Sequence, residues 1–247
     1  MPLNAAALAA LPAPERLALL LDFDGTLVEI APRPEAVVVP AGLPALLARL
    51  AARLGGALAV VSGRPLGDLD RFLPGLPAAL AGEHGGVFRM SPAAAPCRPD
   101  LPDPPAAWRA AAARLAACHP GVLYEPKARG FVLHYRAVPD LAEPLRAALA
   151  ALITPRDADF ALLPSHMAWE VRPRGADKGS AVAKLLAAPA FHGRLPVFIG
   201  DDVTDADGMR AARAAGGVGL FVAETFGDPA GVRRWLADLA GTGEIGA

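Results

Sequence analysis

The segment RLALLLDFD, residues 16–24, is a short and almost unbroken apolar run that stops at two aspartates. A run of this kind is typical of a strand that is buried on both faces, as the strands of parallel sheets are. Comparable runs occur at 57–62 and 196–200, and segments with helical spacing of apolar residues lie between the runs. This alternation predicts a parallel sheet with helices on both of its faces.

The predicted elements of this core lie in two separate parts of the chain. In the first part they are a strand at 16–24, a helix at 42–55, a strand at 57–62, a short helix, and a third strand near 78–88. In the second part they are a helix at 177–187, a strand at 196–200, a helix at 205–215, a strand at 218–222 and a helix at 229–240.

Between these two parts, residues 91–105 are rich in proline and the pattern changes. The next segment predicts a helix at 107–118, strands at 122–126 and 131–136, a helix at 140–152 and two more strands before residue 173. A helix followed by a hairpin, twice over, indicates a small α+β module with an antiparallel sheet. We therefore predict a Rossmann-like α/β core at 1–103 and 173–247, interrupted by an inserted α+β cap at 104–172.

The amino-acid composition and net charge limit the kinds of binding partner to expect. Hydrophobic residues make up 53% of the 247 residues, charged residues 20%, and the net charge is −1. This balance indicates a globular protein and gives no reason to expect nucleic acid or an anionic membrane as a partner. No apolar run approaches the ~20 residues of a membrane helix, and the N-terminal segment lacks the basic stretch of a secretory signal. We expect a soluble cytoplasmic protein in which Cys97 and Cys118 are thiols.

Polar side chains follow three of the predicted strands at the point where each strand ends. They are Asp22 and Asp24 after the first strand, Ser62 and Arg64 after the second, and Asp201 and Asp202 after the strand at 196–200. Because ligands gather at the carboxyl ends of the strands in open α/β sheets, we expect these residues to converge. Lys178 joins them by a different argument, since a cation at the start of a helix is unfavourable unless an anion lies near.

The chemistry of these residues is complementary. Asp22 and Asp24 are two positions apart, so an extended backbone points both carboxylates to one side, where they repel unless a cation or a proton intervenes. With Asp201 they offer hard oxygen ligands without cysteine or clustered histidine, which suits Mg²⁺ beside a phosphate group. A carboxylate can attack phosphorus while its neighbour acts as acid and base, and Lys178 with Ser62 would hold the phosphoryl oxygens.

Four motifs, DFDGT, SGR, DKG and GDDVTD, occur in this order and resemble the four motifs of the haloacid dehalogenase superfamily of phosphohydrolases. The resemblance implies that Asp22 is the nucleophile and that Asp24 is the acid and base. It also implies that Ser62 and Lys178 bind the phosphoryl group. The Mg²⁺ ligands that it implies are Asp22, the backbone carbonyl of Asp24, and Asp201.

Other motif residues complete the expected core site. Thr26 and Arg64, which belong to the first and second motifs, are expected to contact the substrate. Asp202 and Asp205 are expected to lie behind the metal ligands and to orient them. His84, in the segment GEHGG, has two open interpretations, a place near the phosphate or a purely structural role.

Segments of the inserted module indicate which family of that superfamily the chain resembles. GEHGG, YEPKARGFVLHYR, WEVRP and GDDVTDAD are similar to segments of trehalose-6-phosphate phosphatases, over nearly the whole chain from about residue 17 to 222. In that family an E-x-K pair and a later glutamate contact the distal sugar, which implies this role for Glu125, Lys127 and Glu170. His134 and Arg136 alternate along FVLHYR and are expected on one face of that strand, where they line the substrate cleft or face solvent.

The resemblance predicts Mg²⁺-dependent hydrolysis of trehalose 6-phosphate, a small sugar phosphate, through an aspartyl-phosphate. Two alternatives stay open: a related capped phosphatase acting on sucrose 6-phosphate or mannosyl-3-phosphoglycerate, and a non-catalytic sensor of sugar phosphates. Two positions also depart from the family pattern, which usually has glutamate where this chain has Ala206 and often lysine where it has His166.

Overall fold

The computed structural model describes residues 8–31, 33–165 and 167–241, so His166 lies outside the described residues. The chain divides into two compact units. The core unit comprises the described residues up to Cys97 and from Asp177 onward, and the inserted unit comprises Arg98–Ala176. The predicted insertion at 104–172 falls within the inserted unit.

Ten strands and eight α-helices order the described residues. The strands are β1 (Leu17–Leu21), β2 (Leu58–Val61), β3 (Ala79–Gly82), β4 (Val87–Arg89), β5 (Leu123–Pro126), β6 (Phe131–His134), β7 (Phe160–Ser165), β8 (Ala168–Pro173), β9 (Leu195–Gly200) and β10 (Val218–Phe221). The helices are α1 (Leu43–Arg53), α2 (Leu66–Phe72), α3 (Ala106–Ala117), α4 (Ala142–Ile153), α5 (Lys178–Leu186), α6 (Asp205–Ala214), α7 (Val222–Thr225) and α8 (Pro229–Ala240). Most predicted elements are present with ends that differ by one or two residues.

The sheet of the core unit has the strand order β10-β9-β1-β2-β3-β4. β1 is central and pairs in parallel with β2 and β9, and Leu19 lies opposite both Leu58 and Val197. All five residues of β1 are buried, as the apolar run predicts for a strand covered on both faces. Because β1, β2 and β9 run in one direction, the residues that follow them meet at one edge of the sheet.

One predicted strand of the core is wrong. The segment near 78–88 forms two strands, β3 and β4, which pair antiparallel. Between them Glu83, His84 and Gly85 have φ angles of 51°, 56° and 98°, which turn the chain back on itself. The sheet is therefore parallel except at its β4 edge, a reversal that the apolar pattern on either side of the turn does not reveal.

The inserted unit is an antiparallel sheet of order β5-β6-β8-β7 with helices α3 and α4. Phe131 and Val171 are buried in one apolar cluster with Trp108 of α3 and Leu149 of α4. Glu125, Val132 and Glu170 lie opposite one another across three strands, on the other side of the pleat. The inserted unit thus packs one sheet face against its own helices and has charged groups on the other.

In the part of the chain that the structure describes, no helix combines the length and the apolar character that crossing a membrane requires.

Candidate active site

Asp22 is the first residue after β1 and is buried. Its backbone N–H donates to the Ile199 carbonyl at 2.9 Å, which continues the pairing with β9. Its carboxylate accepts a hydrogen bond from Lys178 Nζ at 2.6 Å and a longer one from Thr26 Oγ1 at 3.4 Å. Burial raises the pKa of Asp22 well above its usual value, although the Lys178 ammonium opposes the change.

Lys178 is the first residue of α5, as the sequence predicts to within one residue. The helix begins there because Asp177 and Ser180 form a capping box, in which the Asp177 carboxylate accepts the Ser180 N–H at 2.7 Å. Lys178 Nζ lies 2.6 Å from Asp22 Oδ1 and 2.5 Å from Asp205 Oδ1. Burial alone would lower the pKa of Lys178, but the two carboxylates outweigh burial and raise it.

Asp205 connects this ion pair to the loop after β9. It is fully buried in the first turn of α6, where a carboxylate is favoured by the helix dipole. Its Oδ1 accepts from Lys178, and its Oδ2 accepts the backbone N–H groups of Asp201 at 3.1 Å and Asp202 at 3.0 Å. Both oxygens are therefore engaged, and Asp205 holds the ammonium and the loop in place together.

Asp201 lies beside the turn that follows β1. Its carboxylate packs against Gly25, which has a φ of 75°, and a side chain at position 25 would overlap that carboxylate. Only glycine allows both the left-handed backbone and this close approach. Burial, followed by the negative charge of Asp205, raises the pKa of Asp201 to about 6.

The carboxylates of the core unit fit a hard divalent cation. Asp22, Asp201 and Asp205 each offer an oxygen, and these oxygens lie within 4.8 Å of one another. An all-oxygen set that carries excess negative charge is the donor set that Mg²⁺ prefers. Asp205 is the most heavily hydrogen-bonded of the three, because Lys178 donates to one of its oxygens and two backbone N–H groups donate to the other.

Asp24 is held by Arg64 in a two-point ion pair. Arg64 Nε lies 2.6 Å from Asp24 Oδ2, and Arg64 Nη2 lies 2.7 Å from Asp24 Oδ1. The guanidinium also lies 5.7 Å from the ring centre of Phe23 and 5.0 Å from that of Phe72. Arg64, which the sequence places at the substrate, here orients the carboxylate that the sequence assigns to proton transfer.

The remaining motif residues of the core unit support neighbouring backbone. Ser62 is buried, its Oγ accepts the Arg64 N–H at 3.2 Å, and its carbonyl accepts the His84 N–H at 2.9 Å. The His84 ring packs on Gly63, where an added Cβ would lie 2.6 Å from His84 Nε2. Asp202 is exposed, and its Oδ1 accepts the N–H of the next residue, Val203, at 2.6 Å.

A second group of charged residues lies on the inserted unit. Glu125 forms an ion pair with Lys127, and its Oε2 lies 2.8 Å from His134 Nε2. Burial opposes ionisation of Glu125, yet His134 and Lys127 lower its pKa to about 2. Glu170 lies beside Arg172, with Oε2 and Nη1 3.6 Å apart. These contacts orient the side chains to which the resemblance assigns sugar binding.

Arg136 does not follow the strand alternation that the sequence predicts. β6 ends at His134, and Arg136 is an exposed residue in the turn that follows. The prediction that Arg136 shares a strand face with His134 is therefore wrong.

The chain matches the family described as trehalose-phosphatase over residues 20–227. This chain belongs to the trehalose-phosphatase family. A probable trehalose-phosphate phosphatase from Sinorhizobium fredii is 38% identical over 212 residues, which cover 83% of this chain and 77% of that protein. The trehalose-6-phosphate phosphatase of Escherichia coli is also 38% identical, over 84% of this chain and 77% of that protein.

Solved structures show the same fold. The C-terminal domain of the Candida albicans trehalose-6-phosphate phosphatase superimposes with a TM-score of 0.73 at 22% sequence identity. The match covers 92% of this chain and 93% of that one. The predicted fold class and membership of the trehalose-phosphatase family are confirmed.

Sequence reasoning missed two arginines that this trehalose-phosphatase family chain places near its charged residues. Arg172 is buried beside Glu170. Arg109 contacts the backbone next to Lys127. Arg109 lies in the first turn of α3, where a cation is unfavourable without a nearby acceptor, so the signal that points to Lys178 could also have found Arg109.

Proposed function

We propose that this chain hydrolyses trehalose 6-phosphate to trehalose and phosphate, with Asp22 as the nucleophile. The observation that carries the proposal is a buried Asp22 at the end of the central strand, hydrogen-bonded to Lys178 and adjacent to Asp201. The relatives at 38% identity are named as phosphatases of trehalose phosphate, and this similarity supplies the substrate.

In the first step an Asp22 oxygen attacks phosphorus, and the bond between phosphorus and the sugar oxygen breaks. Asp24 in its acid form donates its proton to the departing sugar oxygen. In the second step Asp24 takes a proton from water, the water oxygen attacks phosphorus, and the bond to Asp22 breaks. Arg64 donates to both oxygens of Asp24, so one of these two contacts opens when Asp24 carries the proton, and the other still orients the carboxyl group.

Lys178 supplies the fixed positive charge of the core site. Its ammonium is buried against Asp22, next to where the phosphoryl oxygens must lie when Asp22 attacks. Asp22, Asp201 and the Asp24 carbonyl would hold Mg²⁺, which would supply further positive charge to stabilise the phosphoryl group. Ser62 Oγ, at the end of the neighbouring strand β2, donates a hydrogen bond to the same oxygens.

The inserted unit selects the sugar in this proposal. The carboxylates of Glu125 and Glu170 accept hydrogen bonds from vicinal hydroxyls, and the Lys127 ammonium donates to sugar oxygens. His134 holds one oxygen of Glu125 and leaves Lys127 beside the other. Contacts with the sugar that does not react provide binding energy that distinguishes one sugar phosphate from another.

A panel of sugar phosphates tests this function. Phosphate release should be much faster from trehalose 6-phosphate than from glucose 6-phosphate, sucrose 6-phosphate or mannosyl-3-phosphoglycerate, and a chelator should abolish it. Equal rates for trehalose 6-phosphate and glucose 6-phosphate would contradict the substrate. Phosphate release from none of them with Mg²⁺ present would favour a non-catalytic sensor.

We also propose a cytoplasmic location, where small sugar phosphates occur. Cys97 and Cys118 are free and exposed, which is consistent with thiols that are kept reduced in that compartment.

A further inference from the structure

The turn between β5 and β6, residues 127–130, is held by a single guanidinium from α3. Arg109 Nη1 donates to the Lys127 carbonyl at 2.8 Å and to the Gly130 carbonyl at 2.7 Å. Arg109 Nη2 donates to the Ala128 carbonyl at 2.9 Å. Three of the four carbonyl groups of the turn therefore accept hydrogen bonds from one side chain.

Other contacts leave this turn little freedom. The Lys127 N–H donates to the Gly130 carbonyl at 3.1 Å and closes the turn. Gly130 packs so closely on the backbone of Val171 that a Cβ would overlap the Val171 carbonyl. Arg129 points away from the turn and donates to the Pro99 carbonyl at 2.8 Å. The 127–130 turn is thus held from several sides, with Arg109 as its main side-chain contact.

Helix preference does not explain why Arg109 lies where it does. α3 begins at Ala106, its first turn has no acidic residue, and a cation near a helix N-terminus is unfavourable because it repels the positive end of the helix dipole. The three carbonyl oxygens of the turn offset that unfavourable charge. An arginine suits the task because its planar fork presents two nitrogens in a fixed geometry to these carbonyls, whereas lysine offers one nitrogen at the end of a flexible chain.

The turn carries Lys127, which forms the ion pair with Glu125. The position of the Lys127 backbone decides where its ammonium lies, and the ammonium in turn orients one oxygen of Glu125. Displacement of the turn would therefore move both groups of the E-x-K pair at once.

We propose that Arg109 is a positioning residue for sugar selectivity, which acts by fixing the 127–130 turn so that Lys127 and Glu125 meet the hydroxyls of the distal sugar. The inference rests on the proposed function, in which those two residues bind the sugar. Arg109 itself touches neither the sugar nor the reacting atoms.

The test compares a substrate that has the distal sugar with one that lacks it. Arg109→Gln should lower kcat/KM for trehalose 6-phosphate by roughly 10- to 100-fold, as small displacements of positioning groups do. It should change kcat/KM for p-nitrophenyl phosphate by less than about twofold, because that ester needs only the core site. Arg114→Gln, on the same helix at an exposed position, is the matched control and should change neither value.

A double variant distinguishes positioning from general damage. If Arg109 acts through Lys127, the loss in Arg109→Gln/Lys127→Ala should be close to that of Lys127→Ala alone rather than the product of the two losses. Multiplicative losses, or equal losses on both substrates, would overturn the proposal. An Arg109→Gln enzyme with unchanged selectivity would also overturn it.

Arg109→Lys decides the question if the glutamine variant does not fold. Arg109→Lys should keep part of the preference for trehalose 6-phosphate over p-nitrophenyl phosphate, and only its kcat/KM for trehalose 6-phosphate should fall. An Arg109→Lys enzyme with the full wild-type preference would overturn the proposal. Lys127→Ala distinguishes a failure of the proposed sugar site from a failure of the role proposed for Arg109. Unchanged selectivity in Lys127→Ala contradicts the proposed sugar site, whereas a loss there without a loss in the Arg109 variants contradicts only this inference.

Discussion

Replacement of Lys178 by methionine tests the electrostatics of the core site. Methionine keeps an unbranched apolar chain and removes only the ammonium and its charge. It leaves Asp22 and Asp205 without the cation that lies 2.6 Å and 2.5 Å from their oxygens. The side chains of Lys178, Asp22 and Asp205 are only 3%, 6% and 0% exposed, so water cannot replace the lost partner.

The expected loss follows from that burial. Removal of one partner from a buried charge pair lowers the free energy of unfolding by about 3–5 kcal/mol. The loss should depend on pH, because burial already raises the pKa of Asp22 and loss of Lys178 raises it further. A carboxyl group whose folded pKa exceeds its unfolded pKa contributes stability that is fully present below the unfolded pKa and is lost as pH rises. Lys178→Met should therefore be much less stable at pH 8 and approach the wild type near pH 4.

Urea unfolding at pH 4, 6 and 8, with a chelator present, measures this loss. Lys184→Met is the matched control, since Lys184 lies on the same helix, is partly exposed and packs over the Phe88 ring. It should lose no more than about 1 kcal/mol at any pH. If Lys178→Met unfolds at the wild-type urea midpoint at pH 8, the buried ion pairs of Lys178 do not stabilise the protein. A loss of stability that is the same at every pH would show that Asp22 does not titrate as described.

Three further perturbations have defined outcomes. The pKa of Glu125 is lowered to about 2, so its ion pairs stabilise the protein above pH ~4.5 and this stability is lost as pH falls toward 2; Glu125→Gln should flatten the acid limb of the unfolding midpoint against pH, and parallel curves would contradict this. The pKa of Asp201 is raised to about 6, so stability without metal should decline as pH rises through 6. Asp201→Asn should lose the part of that decline that Asp201 causes, together with the stabilisation by Mg²⁺; calorimetry with and without the ion measures both, and a variant that keeps both would contradict this. Glu83 has a left-handed backbone, which is strained for a residue with a Cβ. Glu83→Gly should relieve that strain and raise Tm by roughly 2–4 °C, and a lower Tm would mean that the contacts of the Glu83 side chain stabilise the protein by more than the strain costs.

The parts of the site that follow strand ends were predictable. A parallel sheet brings the residues after β1, β2 and β9 to one edge, so Asp22, Ser62 and Asp201 could be grouped from spacing alone. Lys178 could be added because an unpaired cation is unfavourable at a helix start. These inferences need only backbone topology and the sign of a charge.

Side-chain pairing across the fold was not predictable. Arg64 meets Asp24 from another strand end, and nothing in the local sequence of either residue fixes the rotamer that brings them together. The central position of Asp205 depends on where α6 begins relative to the loop after β9. Here tertiary geometry, which the sequence expresses only through the complete fold, decides the contacts.

Two errors have a local physical cause. The reversal between β3 and β4 requires consecutive left-handed residues, and Glu83 and His84 are residue types that seldom adopt this conformation. β6 ends at His134 although FVLHYR alternates up to Arg136, because pairing with β5 and β8 stops there. The alternation in the sequence therefore continues past the last residue of the strand ladder.

Chemical trapping shows whether Asp22 becomes phosphorylated during turnover. The enzyme is mixed with trehalose 6-phosphate and Mg²⁺, quenched in acid during turnover, and reduced with borohydride, which converts an aspartyl-phosphate to homoserine. Peptide mass spectrometry should find homoserine at position 22 in the wild type and in no sample without substrate. Homoserine at position 24 or 201, or none at all in an enzyme that releases phosphate, would contradict the account.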